Sequence, residues 1–462
     1  MNCNLIQSFG LLIFILAGCN QPAKQAIEET RQAIMPSEKN QQYWQYKGKE
    51  VLLLGGSVED NLFQITNLNE QLDLLQSCGG NYVRNTLSCR DSGNVWPFLQ
   101  LEDGKYDLNQ WNPLYWQRLE NFFEATAKRE IIVQMELWAT FDFYRDFWLI
   151  NPYNPANNVN YNQARSKLPM EVPTHPIFTN NPFFRSVPQA DCNLKLLEYQ
   201  QKFIDKVLSY SLKYPNILYC MDNETSVTSN WGSFWAKYIK KVGKEKGLYL
   251  QTTEMWDPWD LNHVAHRETL DHPETYSFVD ISQNNHNQGE EHWQNGIAQI
   301  NHLKTINALR PLNNVKIYGN DSGRHQTTRN AVESFIKNVL FGAASARFHR
   351  PTSGQGINET AQSVIRCMRS ITDTTTFFTG QPANHLLENR EPNEAYCRAI
   401  AGEEYLIYFP AGGSIEIDLP SGASITWVDV LKNEWIKAKD LTSGKNEITS
   451  SNDKHAIAII QL

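Results

Sequence analysis

Ile217-Leu218-Tyr219-Cys220-Met221-Asp222-Asn223-Glu224 is the stretch on which the fold turns: five largely apolar residues run straight into two carboxylates and an amide. A short apolar run bounded by polar residues reads as a strand buried on both faces, the kind found in parallel sheets. Beyond it Trp235, Ile239 and Val242 mark a helix, so the segment predicts one strand followed by one helix.

Working outward, the same unit recurs. Residues 51–54 are apolar and stop at Gly55-Gly56-Ser57, and Leu68, Leu72 and Leu75 mark the following helix. Residues 82–85 and 131–136 supply the second and third strands. The helix between them starts at Asn112-Pro113, where a side-chain cap and a fixed φ both help initiation. A long aromatic- and Asn-rich connection then precedes the helix of Leu196, Tyr199, Phe203 and Val207, and connections of that length usually carry function. Downstream, residues 248–253, 278–281, 315–318 and 346–348 each end in a polar tip. With eight such units the predicted fold is α/β, a (β/α)8 TIM barrel over residues 43–380. From 381 to 462 short alternating runs, separated by turns such as Pro410-Ala411-Gly412-Gly413, predict a small antiparallel β-sandwich domain.

At the other end, a short apolar stretch finishes in Leu16-Ala17-Gly18-Cys19. This resembles a bacterial lipobox, which implies a signal peptide over 1–18, lipidation of Cys19, and a polar tether to residue 42. The expected location is then the bacterial cell envelope, with the lipid as the membrane contact. The remaining cysteines, Cys78, Cys89, Cys192, Cys220, Cys367 and Cys397, have no CxxC spacing and no disulfide is assigned to them.

A formal charge of -8 without a long basic run argues against nucleic acid as partner. Gly-x-Ser-x-Gly is absent, so no serine nucleophile elbow is visible. His263 and His266 form the one compact histidine pair, but with no nearby Cys and no HExxH context they make a poor metal site, and neither a metal nor a cofactor is expected.

A parallel barrel builds its active site at the C-terminal ends of its strands. The polar tips gathered there are Asp60, Arg84, Asn85, Glu136, Trp138, Asn223, Glu224, Glu254, Trp256, Asn284, His286, Asp321 and His349. Carboxylates, amides and aromatics handle sugars, and hydrolysing a glycosidic bond needs two carboxyl groups, one to protonate the leaving oxygen and one to attack or to activate water. Trp138, Trp256 and Trp259 are candidate stacking surfaces for a sugar face.

Asn223-Glu224 at the fourth strand exit resembles the clan of retaining glycosidases built on (β/α)8 barrels, as does Arg84 at the second. The resemblance covers residues 43–380 and implies that Glu224 is the acid/base, that Asn223 binds a sugar hydroxyl, and that a nucleophilic carboxylate stands at the seventh strand exit. There the clan has Glu and this chain offers Asp321; Glu254 is the rival second carboxylate. The expected substrate is a poly- or oligosaccharide, with Asp60, Arg84, Asn85, Glu136, Trp138, Asn223, Trp256, Asn284, His286 and His349 binding it. The other reading is a non-catalytic glycan-binding lipoprotein on a degenerate barrel. The segment around Tyr405 to Gly413 and Trp427-Val428-Asp429 is similar to a β domain, named for collagen binding, that some barrel glycosidases carry.

Overall fold

The computed structural model describes residues 32–175, 181–226 and 228–462; the expected leader, Cys19 and most of the tether lie outside the described residues. Eight parallel strands run in chain order as β1 (Leu53–Gly56), β2 (Tyr82–Thr86), β3 (Ile132–Ala139), β4 (Ile217–Asn223), β5 (Gln251–Thr253), β6 (Val279–Asp280), β7 (Leu312–Asn313) and β8 (Ser345–Phe348). A covering helix follows each: α1 (Leu68–Ser77), α2 (Pro113–Lys128), α3 (Leu194–Ser211), α4 (Ser229–Glu245), α5 (Val264–Leu270), α6 (Gly289–Thr305), α7 (Thr328–Phe341) and α8 (Glu359–Thr374), with two short helices, Arg145–Ile150 and Gln163–Ser166, also between β3 and α3. Six strands make one sheet in the order β5-β4-β3-β2-β1-β8, and β6 pairs with β7. Backbone bonds tie that pair on at both edges. Ser277 N–H donates to Thr252 O at 2.8 Å and Ala344 N–H donates to Leu312 O at 2.7 Å.

Burial explains why these segments are strands: all of β3 and all of β4 are buried, with helices covering one face and the interior the other. The interior includes a polar layer in which Tyr82, Gln134, Asn313 and Asp280 are hydrogen-bonded to one another. Trp44, from a short antiparallel sheet that precedes β1, donates to Asn313 Oδ1 at 2.9 Å. The aromatic seal leaves Trp44 fully buried. α2 begins as its sequence predicts, with Asn112 Oδ1 accepting from Leu114 N–H and Pro113 in the first turn.

Strand ends differ from expectation in two places that matter for the site. β3 runs to Ala139 rather than ending near Glu136, so Glu136 sits inside the strand. β7 is centred on Leu312–Asn313, and Ile317 makes only an isolated bridge to Phe348, so residues 315–318 are the strand's exit rather than its body. The seventh exit therefore lies several residues before Asp321.

From Gln381 onward the chain forms eight strands in two antiparallel sheets around a second apolar core that includes Ile407, Phe409, Ile417 and Ile460. Arg398 joins this unit to the first, donating to Tyr43 Oη at 2.7 Å and to Phe377 O. The six cysteines named above are free thiols. Among the described residues no helix is long and apolar enough to cross a membrane.

Candidate active site

The floor of the site is a buried ion network centred on β2. Arg84 donates from Nε to Glu136 Oε1 at 2.6 Å and from Nη1 to Asp60 Oδ1 at 2.8 Å, and lies 3.1 Å from His349 Nε2. Asp60 also receives Arg90 at 2.9 Å and Arg350 at 3.3 Å. Burial would push the Asp60 carboxyl up, but Arg84, Arg90 and Arg347 hold it well below its usual range. Burial, helped by Arg84, Arg347 and Lys316, keeps His349 neutral against the pull of Asp60.

Glu224 stands above this floor at the end of β4. Its φ of 64° is the left-handed region, which costs a non-glycine residue about 1–2 kcal/mol and turns the side chain off the strand. The carboxylate is 28% exposed and lies 2.5 Å from the Nζ of Lys316, whose own side chain is buried. Burial opposes ionisation, yet Lys316, and beyond it Arg84 and Arg90, bring the Glu224 pKa down to about 2. Beside Lys316, the Glu224 carboxyl is held in its ionised form.

Around that ion pair lie groups that sequence reasoning passed over. Asp257, half-buried after β5, has its pKa pushed up to about 6 by burial and by the Glu224 charge, with Lys316 opposing. Tyr144 and His175 both feel the Glu224 charge. Tyr318 sets its ring edge-on to His286, His325 and His349. His286 is stacked on Trp259 at 4.1 Å between centroids, and Trp259 is 62% exposed, so an indole surface stands at the cleft mouth. Burial and Lys316 lower the His286 pKa to about 4, so its imidazole is neutral at pH 7.

The cleft thus gathers Glu224 and His286 over a floor of Asp60, Arg84, Glu136 and His349. Asn223 is buried with Oδ1 unpartnered, as is Glu136 Oε2. Other expected site residues lie elsewhere. Asp321 is exposed, and its carboxylate accepts from Thr328 N–H and Oγ1 in the first turn of α7. Glu254 is fully buried beneath α4, where a Cβ on Gly232 would strike its Oε2, and Thr225 donates to its other oxygen. Trp138 packs against Phe203, Trp231 and Trp235 of α3 and α4, and Trp256 donates to Thr269 Oγ1 on α5 at 2.7 Å; both are core residues. Asn85 is spent on Phe63 N–H and Thr86 O, and Asn284 on His292 O, Asn287 and Asn295. His266 donates from Nε2 to Pro258 O and His263 caps α5. Among the described residues no group of three or more His, Cys, Asp or Glu is arranged for a metal.

Eight parallel βα units with the ionisable cluster at the strands' C-terminal ends can be set beside known proteins. No family model matches the sequence, and no curated protein does. Solved structures do match. A glycoside hydrolase family 5 protein from Bacteroides vulgatus superposes with a TM-score of 0.64 at 11% identity, covering 94% of each chain. The chain has the fold of family 5 glycoside hydrolases. A second glycoside hydrolase gives 0.62 at 10% identity over 94% of this chain and 98% of its own. A family 5 mannosidase from Rhizomucor miehei, in complex with mannosyl-fructose, gives 0.50 at 11% over 74% and 97%. At the seventh strand exit the side chain turned to Glu224 is Lys316.

Behind the cleft, burial raises three further carboxyls: Asp142 to about 7, Asp222 to about 8 and Glu254 well above its usual range. These acids ionise near pH 4 in the unfolded chain, so the stability their neutral forms confer is complete below pH 4 and is lost as pH rises through 7 to 8. Buried histidines titrate below that window when unfolded. The melting temperature should therefore be higher at pH 7 than at pH 9, and Asp222→Asn should narrow the gap by on the order of 1 kcal/mol. An unchanged gap in the variant would mean that Asp222 is already ionised at pH 7.

Proposed function

We propose that this protein is a glycoside hydrolase that cleaves O-glycosidic bonds in an extracellular poly- or oligosaccharide. The observation that carries the reading is Glu224: an ionised carboxylate held by Lys316 at the open end of β4, above the buried Arg84 network, in a fold shared with family 5 glycoside hydrolases. Trp259 stacked on His286 supports it by offering an aromatic face to a sugar ring. We read the six- and two-stranded sheets as one closed (β/α)8 barrel followed by a β-sandwich, and the mechanism as two-carboxylate and retaining. Cleavage before Cys19 and its lipidation would anchor the enzyme in the bacterial envelope.

One observation favours a second reading. Lys316 stands where the barrel clan bears its nucleophilic carboxylate, as it would in a barrel that has kept glycan binding and lost turnover. Incubating the protein with 4-nitrophenyl glycosides and with plant and algal polysaccharides separates the two. Hydrolysis is expected as nitrophenol or new reducing ends. Retention of a polysaccharide in affinity electrophoresis, with no cleavage of any substrate, would establish the binding protein instead.

A further inference from the structure

We infer that Thr225 and Glu254 are positioning residues: the Thr225 hydroxyl, held by the buried Glu254 carboxyl, fixes the left-handed turn that carries Glu224 at the end of β4. This role rests on the glycosidase reading above and holds for either carboxyl role of Glu224.

Ties on both sides bracket Glu224. Before it, Asn223 is the last residue of β4 and stands in register with Ala139 of β3. One residue further back, Asp222 Oδ2 accepts from Thr140 Oγ1 at 2.5 Å, just past the end of β3. After it, Thr225 N–H donates to Met255 O at 2.8 Å, Asp257 N–H donates to Thr225 O at 3.1 Å, and Thr225 bridges Trp256 in parallel register. The Thr225 hydroxyl donates to Glu254 Oε1 and stands 3.4 Å from Asp222 Oδ2. One hydroxyl therefore closes a bracket from Asp222 to β5, with Glu224 between its ends. A non-glycine residue stays in the left-handed region only where its surroundings over-determine it, and this bracket supplies that constraint.

Packing alone does not call for a carboxyl at this place. Glu254 is fully buried with Oε2 unpartnered, a costly arrangement that an apolar side chain would avoid. α4 makes room for it at Gly232, where a Cβ would strike Oε2. An apolar side chain in that space would leave the Thr225 hydroxyl with Asp222 alone. Burial first, and then the Asp222 charge, raise the Glu254 pKa well above its usual range, so the acceptor facing Thr225 is a neutral acid that glutamine can replace.

Thr225 and Glu254 are both buried, so their reach to the chemistry runs through the Glu224 backbone. The other end of Glu224 is fixed separately, its carboxylate lying 2.5 Å from Lys316 Nζ. Misplacing a reacting group by about 1 Å costs on the order of 10²-fold in rate. Loosening the turn should therefore lower kcat. It should leave KM nearly unchanged, because the Trp259 face that would meet a sugar ring is untouched.

Thr225→Val removes the hydroxyl at nearly constant volume. It should lower kcat on 4-nitrophenyl glycosides by roughly 10–10²-fold with KM within about twofold of wild type, and Thr225→Ser should restore the rate. Glu254→Met should match Thr225→Val, and the double variant should be no worse than either single one, because both changes break the same bond. Glu254→Gln keeps a neutral acceptor and should stay close to wild type, which guards against a folding defect in the methionine variant. A second measurement needs no turnover: the nitrogen-15 signal of Lys316 Nζ, assigned through its loss in Lys316→Met, reports where the Glu224 carboxylate stands. It should move in Thr225→Val and return in Thr225→Ser. An unmoved Lys316 signal in Thr225→Val, or a loss of kcat that Thr225→Ser does not restore, would overturn the positioning role while leaving the glycosidase reading intact. A wild-type protein inert on every glycoside would instead remove the glycosidase reading, and the Lys316 signal would still decide whether Thr225 holds Glu224.

Discussion

Arg84→Met is expected to lower stability by about 3–5 kcal/mol in a urea titration, the cost of leaving a buried charge without its partner. Arg84 is 1% exposed and its guanidinium spans two carboxylates, each itself buried. Asp60 would retain Arg90 and Arg350, so its loss is partial. Glu136 has no such reserve: its hydrogen bond from Arg84 Nε is its side chain's sole recorded one among the described residues, and its Oε2 is unpartnered. Most of the cost should therefore fall on Glu136. Arg84→Met combined with Glu136→Gln should recover much of it, since the amide carries no charge to desolvate. Arg84→Lys should rescue poorly, because a point ammonium cannot serve two carboxylates set at the two ends of a guanidinium fork. An Arg84→Met protein within about 0.5 kcal/mol of wild type would sink this account of the network.

The βα rhythm was legible because it rests on burial, which a sequence records directly. A strand covered on both faces must be apolar throughout, and β4 and β3 announce themselves that way. Caps are legible for the same reason: Asn112-Pro113 does locally in the structure what its side chains dictate. Strand ends were less so. The exit of β7 was hidden because Val315, Ile317 and Tyr318 are apolar and buried or nearly so without being part of the regular ladder, and they carried the apparent strand past its true end. That slip of a few residues put the expected seventh exit at Asp321, beyond the observed one beside Lys316.

Side-chain direction was the other loss. Whether a strand-end residue faces the cleft or the helices depends on register, and one step reverses it. Trp138, Trp256 and Glu254 sit at strand ends yet face the helices. A signal for Lys316 did exist, since it is a lone charge inside the seventh apolar run; a buried lysine needs a partner, and the partner is Glu224. Asp60, Arg84, Glu136 and His349, which the sequence offers as substrate contacts, are joined in the structure by an ion network.

Glu224→Gln is expected to reduce turnover by roughly 10⁴-fold or more, as removal of a central catalytic group does. The same change also alters the fold's energetics, and the two effects are separable. Glutamine fits the space and can keep the left-handed backbone, but it leaves the Lys316 ammonium buried without a counter-charge. Because Glu224 is 28% exposed, the expected stability loss is about 1–2 kcal/mol, below that of a fully buried pair. Lys316→Met alone should free Glu224 from its strongest cation, raise its pKa from about 2 toward the ordinary carboxylate range, and move the acid limb of the kcat/KM profile to higher pH. Glu224→Gln with Lys316→Met should then recover the stability lost by the first change and none of its activity. That combination of outcomes distinguishes a catalytic carboxylate from a structural half of an ion pair. A purely structural Glu224 would give the reverse: activity returning with stability once Lys316 is removed as well.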